Sequence, residues 1–463
     1  MAVTLPFELR DKIVDDLYFM STLSNPTSVS NPRNCEYVQA LRSCLFVSSD
    51  FRFRVLGKLF ERVSLSEEES NRRKFNKRIL LLRKIVDPPR NLSKSFEDGI
   101  APYIKSFSLT FSLAHEHEHH QKDWARINRN LNYFTRKLRG KYYGIKTFQL
   151  AFNDNTTGTR STSRKSAQWS SLHSKFRYAL GYLMKSPFLA SVSFRNIITF
   201  PATLFDDVHY SHLYLEYDPL QSWADPLPSK KSYNTEQIST PQLQTFYTDL
   251  LFRYQDLLTL RPLLTNLKCL ETSSNTSEYE LHKLSYITDI CAHALERVSI
   301  NLTGNMASRY LNLSTMANLK SLSLDCKWIF INPNGGARLD GLTNIYTFFN
   351  IPHAMNKLRD ISIRWRMGEG HARAFGRFQD PVSIQMLLSF LSGSKYPALH
   401  QFSLTIQVIS VLSYVHVRHR CQDAEKDVFL VPLEEQFKNT PEKLDYRFAV
   451  ERLCLHVEPV SSS

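Results

Sequence analysis

One short pattern returns along most of this 463-residue chain: L-x-x-φ-x-φ, with φ an apolar residue. Its clearest copies are Leu295-Glu296-Arg297-Val298-Ser299-Ile300, Leu319-Lys320-Ser321-Leu322-Ser323-Leu324 and Leu358-Arg359-Asp360-Ile361-Ser362-Ile363. Leu399 to Leu404 and Val450 to Leu455 close the series. Looser copies stand at Lys146–Phe152, Leu189–Phe194, His212–Leu215, Leu243–Phe246 and Leu267–Leu270, after a first alternating run at Ser106–Phe111. Alternation with period two marks a strand with one buried face, and the leading Leu closes the turn before it.

Helical spacing separates several copies, at Phe176–Met184, Gln255–Leu264, Leu281–Ala294 and Val382–Leu391. A strand followed by a helix cannot bury its own apolar face, so such units must stack on one another. The copies are too far apart for hairpins, which predicts parallel strands joined by helical crossovers. Leu109, Leu150, Phe194, Leu215, Ile300, Leu324, Ile363, Leu404 and Leu455 are then expected at equivalent positions of one sheet. Spacing between copies runs from 21 residues (Val192 to Leu213) to 51 (Phe402 to Leu453), so the repeat is irregular. The expected class is α/β, and the competing architecture is a single α/β domain with a mixed sheet.

The N-terminus has another character. Thr4 can cap a helix and Pro6 suits its first turn. Leu9, Ile13 and Leu17 follow at helical spacing among charged residues, an amphipathic stripe. Ala40–Phe51 places Leu41, Cys44, Leu45 and Ser48 on one helical face, and Ser49 can cap a further helix with Phe51, Val55 and Leu59. This order resembles the F-box over residues 4 to 65. The Leu5-Pro6 opening, Val47-Ser48-Ser49-Asp50-Phe51, and the closing Leu59-Phe60-Glu61-Arg62-Val63 carry the match, closest to the F-box proteins of basidiomycete fungi. Phe51 stands where that family usually has Trp, and the Ser-, Asn- and Pro-rich link Ser21–Asn34 is longer than the family's.

The resemblance implies a short all-α F-box at 1–65, a linking helix and connector at 66–102, an irregular leucine-rich-repeat-like solenoid at 103–457 and a tail at 458–463. It implies that the helices dock on the Skp adaptor of a cullin-RING ubiquitin ligase, through Leu5, Pro6, Leu9, Ile13, Leu41 and Leu45, with Val47 and Phe51 closing the helix packing. The repeat array would hold a protein substrate. The alternative is a ligase-independent interaction scaffold.

Composition narrows the remaining classes. No apolar run reaches membrane-spanning length, and the N-terminus lacks the charged, apolar and small-residue order of a signal peptide. The seven cysteines are scattered with no C-x-x-C pair, which fits a reducing cytoplasmic or nuclear setting rather than disulfides or zinc. The formal charge is +14, but no finger, basic zipper or RNP-like pattern accompanies it, so nucleic acid is not the expected partner. Arg72–Arg78 and Arg136–Lys141 read as solvated helix faces, and Arg160–Lys165 as a polar loop. Asn153–Gln168 and Leu220–Thr240 read as surface loops.

Candidate chemistry is thin. His115-Glu116-His117-Glu118-His119-His120 has metal-ligating side chains but neither H-E-x-x-H spacing nor a cysteine, and no resident metal is expected. Asn334-Gly335-Gly336 and Gly368-Glu369-Gly370 lack phosphate-loop spacing and read as turns. No nucleophile elbow or kinase set is present, and neither enzyme activity nor a cofactor is expected.

Overall fold

The computed structural model describes residues 6–23, 36–67, 72–86, 99–112, 121–140, 142–153, 167–217, 243–249, 254–273, 278–303, 311–327, 348–368, 389–412 and 445–456. The chain is α/β and divides into two compact units, Met1–Tyr210 and Ser211–Ser463.

The first unit opens with three helices, α1 (Phe7–Leu23), α2 (Glu36–Cys44) and α3 (Ser49–Phe60). Strand β1 (Arg62–Ser66), α4 (Arg72–Val86), β2 (Ser106–Ser112), α5 (Gln121–Lys137), β3 (Thr147–Asn153), α6 (Ser174–Met184) and β5 (Ser191–Arg195) then alternate. Between β3 and α6 the short β4 (Ala167–Gln168) pairs in parallel with β6 (Ile197–Ile198). Strands β1, β2, β3 and β5 pair in parallel, in that order. Their register stacks Leu65, Leu109, Leu150 and Phe194 in one row and Val63, Phe107, Phe148 and Val192 in the next.

These rows face the crossover helices. Phe75 of α4, Phe134 of α5 and Phe176 of α6 are fully buried. Phe107 meets Phe134 edge-on at 4.8 Å, and Phe111 lies between Phe75 (5.9 Å) and Phe176 (6.5 Å). Edge-to-face aromatic pairs add stabilisation beyond the area they bury.

The second unit carries β7 (His212–Glu216), β8 (Thr245–Thr248), α7 (Tyr254–Leu264), β9 (Cys269–Thr272), α8 (Glu278–Cys291), β10 (Arg297–Thr303), β11 (Ser321–Lys327), β12 (Asp360–Gly368), β13 (Gln401–Leu412) and β14 (Asp445–His456). They too pair in parallel and in sequence order. Leu213, Phe246, Leu270, Val298, Leu322, Ile361 and Phe402 form one buried row, and Ile300, Leu324, Ile363 and Leu404 form part of the next. The leading leucines Leu267, Leu295, Leu319, Leu358 and Leu399 are buried as well, which is how the turn before each strand is fixed.

Buried polar residues close several strand ends. Glu67 accepts the Ser112 N–H at 3.2 Å, Asn196 donates to the Phe152 carbonyl at 2.7 Å, Asp249 accepts the Tyr217 N–H, and Asn301 donates to the Ser273 carbonyl at 3.0 Å. Each satisfies a backbone group of a nearby strand end, where a lost partner would be costly. Their offsets from the apolar pair differ, so no fixed Asn appears in the sequence pattern.

Several sequence expectations change. Leu455 lies opposite Val411, and the residue opposite Leu404 is Phe448. The alternation alone could not choose, because a period-two run offers several registers and β14 begins at Asp445. Arg62–Ser66, within the range expected to be helical, is instead the first strand, paired with Ser106–Thr110. Ala167 and Gln168 are strand rather than loop, and Gly368 ends β12 opposite Ile409 rather than making a turn. Asn153 ends β3, and the rest of both expected surface loops, the His115–His120 cluster, Asn334–Gly336, Arg160–Lys165 and most of Val382–Leu391 lie outside the described residues.

Candidate functional site

Helices α1, α2 and α3 pack on one another around four buried residues, Val14, Leu41, Phe51 and Val55. Leu17, Tyr18, Cys44, Leu45 and Leu59 are half-buried against them. The helix starts follow from local chemistry. Ser48, with φ −159° and ψ 168°, caps α3 by accepting the Phe51 N–H at 3.3 Å. The cap is therefore Ser48, one residue before the expected Ser49. Two ion pairs fasten α1 to α3: Arg54 to Asp11, and Lys58 to Asp15 at 2.8 Å, with Lys58 also 5.1 Å from the centre of the Tyr18 ring.

The apolar residues of α1 are not all consumed by this core. Val14 is the inward residue, whereas Leu9 is 50% and Ile13 40% exposed. Pro6 is exposed, its carbonyl accepting the Arg10 N–H at 3.2 Å. Leu5 lies outside the described residues. Leu41 is buried in the core and Leu45 is half-buried against it, so among the described docking residues Pro6, Leu9 and Ile13 are the exposed ones. Phe51 does close the helix packing. Val47 does not: with Phe46 it sits on the turn after α2, 66% and 83% exposed. A four-residue core is too small to cover every apolar side chain on three short helices, and the excess faces water.

Alpha3 and the 3-10 turn Ala101–Tyr103 enclose an open groove of about 500 Å³, lined by Phe53, Gly57, Glu61 and Tyr103 among others. Its cations are already engaged: Arg54 and Lys58 by the carboxylates of α1, and Lys105 by the Pro102 carbonyl at 2.9 Å.

The strands offer a different surface. Over much of their length the residues alternating with the buried rows are polar, Ala151 of β3 and Ile409 of β13 being apolar exceptions. Ser299, Ser323, Ser362 and Ser403 lie side by side across β10–β13, and Ser64, Ser108, Gln149 and Ser193 across β1, β2, β3 and β5. All-parallel sheets are usually apolar on both faces because both are covered. Here one face is small, polar and at least partly open. In the second unit it carries Asp325, which accepts from Arg366 at 2.6 Å and has Arg364 at 3.8 Å, and a tilted Tyr214–Tyr247 ring pair at 5.8 Å. Alternation made this face legible in the sequence; the charge pairing across strands was not, because it needs the register.

Among the described residues the thiols are all shifted toward the protonated form. Burial pushes Cys326 up to about 12 with help from the Asp325 charge, burial pushes Cys291 up to about 12, and burial and then the Glu271 charge push Cys269 up to about 11. A nucleophilic cysteine needs the opposite shift. Among the described residues no three His, Cys, Asp or Glu side chains gather as a metal site requires, and no helix is long and apolar enough to cross a membrane. Compared with known proteins, the chain matches no family model and no curated protein.

Proposed function

We propose that the chain is a non-catalytic substrate-recognition adaptor of a cullin-RING ubiquitin ligase. In this reading α1–α3 form an F-box that docks on the Skp adaptor through Pro6, Leu9 and Ile13. Leu41 and Leu45 hold α2 in place beneath them. The strand-and-helix units behind the helices are stretches of an irregular leucine-rich-repeat-like solenoid, and their polar, serine-lined strand faces take a protein substrate. The observation that carries the reading is the exposure of Leu9 and Ile13 on a helix whose core is built from Val14 instead. An apolar pair kept out of its own core gains by meeting a partner. The one-sided parallel strands and the buried leading leucines support the repeat reading.

The test is titration of the purified chain with the Skp adaptor. Leu9→Ala with Ile13→Ala should weaken binding on the order of a hundredfold, as truncation of interface-centre residues does, and leave the thermal melt in place. Wild-type protein that does not bind the adaptor would refute the ligase role and leave the ligase-independent scaffold.

A further inference from the structure

The formal charge of +14 is unevenly distributed over the folded elements. Helices α4, α5 and α6 contain fourteen Lys and Arg and one acid, Asp123. These helices are neighbours in one layer, α4 packed on α5 and α5 on α6. Each turns one stripe inward: Phe75, Ile79 and Leu82 on α4, Ile127, Leu131 and Phe134 on α5, Phe176, Leu180 and Leu183 on α6. Most of the described cations are therefore left exposed, while Arg78, Arg83, Lys137 and Arg177 are half-buried. On α5, Arg126, Arg129 and Arg136 recur at helical spacing over about 15 Å of axis.

Some of these cations, with Arg139 just past the end of α5, stitch the layer together. Arg83 bonds Asn130 at 3.0 Å and lies 4.4 Å from the centre of the Tyr133 ring, Arg136 lies over Tyr178 at 5.4 Å, and Arg139 over Tyr182 at 4.0 Å. Lys137 also lies 5.9 Å from the centre of the Tyr133 ring, and Arg78 is engaged as well. Arg73, Lys74, Lys77, Arg126, Arg129 and Lys175 are exposed and have no ion-pair partner among the described residues. Like charges crowded on one face repel one another, and a polyanion relieves this by displacing the counterions they hold.

The same surface is aromatic. Among the described residues the exposed tyrosines are Tyr142, Tyr178 and Tyr182, at 81%, 67% and 44%, and all three belong to this part of the molecule. Tyr178 and Tyr182, four residues apart, share one face of α6 with Lys175. Cations interleaved with exposed aromatic rings suit single-stranded nucleic acid, whose phosphates meet the charges while its unpaired bases stack on the rings. An acidic protein would use the charges but has no bases for the rings, and a duplex keeps its bases stacked inside.

We propose that the outer face of α4–α6 binds single-stranded nucleic acid, with Lys74, Lys77, Arg126 and Arg129 on phosphates and Tyr178 and Tyr182 as stacking platforms. Binding of the full chain to fluorescein-labelled 20-nucleotide single-stranded RNA and DNA of mixed sequence, followed by anisotropy from 50 to 300 mM salt, tests this. The expected result is salt-dependent binding to single strands that exceeds binding to the matching duplex. Replacing Lys74, Lys77, Arg126 and Arg129 by Gln, a good helix former, should weaken binding more than tenfold and lower the salt slope by about three. Tyr178→Leu with Tyr182→Leu should weaken it about tenfold with the slope unchanged, an independent measure should the glutamine variant melt early. No binding of either single strand at 50 mM salt would overturn the proposal. So would binding as tight as wild type by both variants, or competition by polyglutamate or phosphatidylserine vesicles as effective as by the oligonucleotide at matched charge.

Discussion

The three N-terminal helices and the strands of the second unit solve burial on different scales. Helices α1–α3 share four buried residues and leave Leu9, Ile13, Phe46 and Val47 in water. The strands β10–β13 put every residue of two apolar rows below a few per cent exposure. A repeating unit extends its core by adding a neighbour, whereas a closed three-helix cluster has a fixed and small interior. The first therefore has apolar surface to offer a partner, and the second covers its apolar rows and, among the described residues, presents a mainly polar other face.

The sharpest way to break this contrast is Leu324→Ala. Leu324 is 1% exposed and lies between Ile300 and Ile363 in register, so its truncation should cost about 2–5 kcal/mol, read as a lowered urea midpoint. A cost below about 1 kcal/mol would mean that the row is not a continuous core. Next is Leu41→Ala. It should loosen α1–α3 by about 2 kcal/mol and speed amide exchange in those helices while leaving exchange in β10–β13 as it was. Uniform faster exchange throughout would show that the helices are integral to the rest rather than a small cluster of their own.

Smaller effects concern the polar strand face. Asp325→Asn leaves Arg366 and Arg364 without their carboxylate, at a site with Asp325 20% and Arg366 28% exposed. Solvent screens part of that interaction, so the expected loss is about 1 kcal/mol, shrinking in high salt. An unchanged melt at low salt would mean that the pair orients side chains without stabilising them. The smallest effect is the pH response of Glu296. The hydrogen bond from Lys320, at 2.7 Å, holds its carboxyl below the ordinary value of 4.5. A lowered folded pKa gives stability that is present above the unfolded value and is lost as pH falls through the folded one. Carboxyl chemical shifts should place the midpoint of Glu296 below 4.5, and Lys320→Ala should move it up. A midpoint that does not move would assign the shift to other charges.

Much of this was legible beforehand for a simple reason. The strand positions follow from two-residue alternation, and the helices expected at Phe176–Met184 and Leu281–Ala294, found at Ser174–Met184 and Glu278–Cys291, from 3.6-residue spacing, both local properties of the chain. Local pattern failed where alternatives satisfied it equally. Beta14 could pair in several registers, and Arg62–Ser66 read as the tail of a helical motif until β2 was there to pair with it. On α1 the spacing singled out Leu9, Ile13 and Leu17, yet Val14 takes the centre of the core. Which side of a helix turns inward depends on where α2 and α3 stand, and nothing within α1 encodes that.

By itself, then, the sequence determined an α/β chain of one-sided strands behind an amphipathic N-terminal helix, because apolar periodicity dictates which backbone geometry can bury its own side chains. Tertiary structure alone decided which apolar residues remain outside. It also left cations scattered from Arg73 to Lys175 exposed on neighbouring helices, because helices that bury their apolar stripes leave most of their charged residues to solvent.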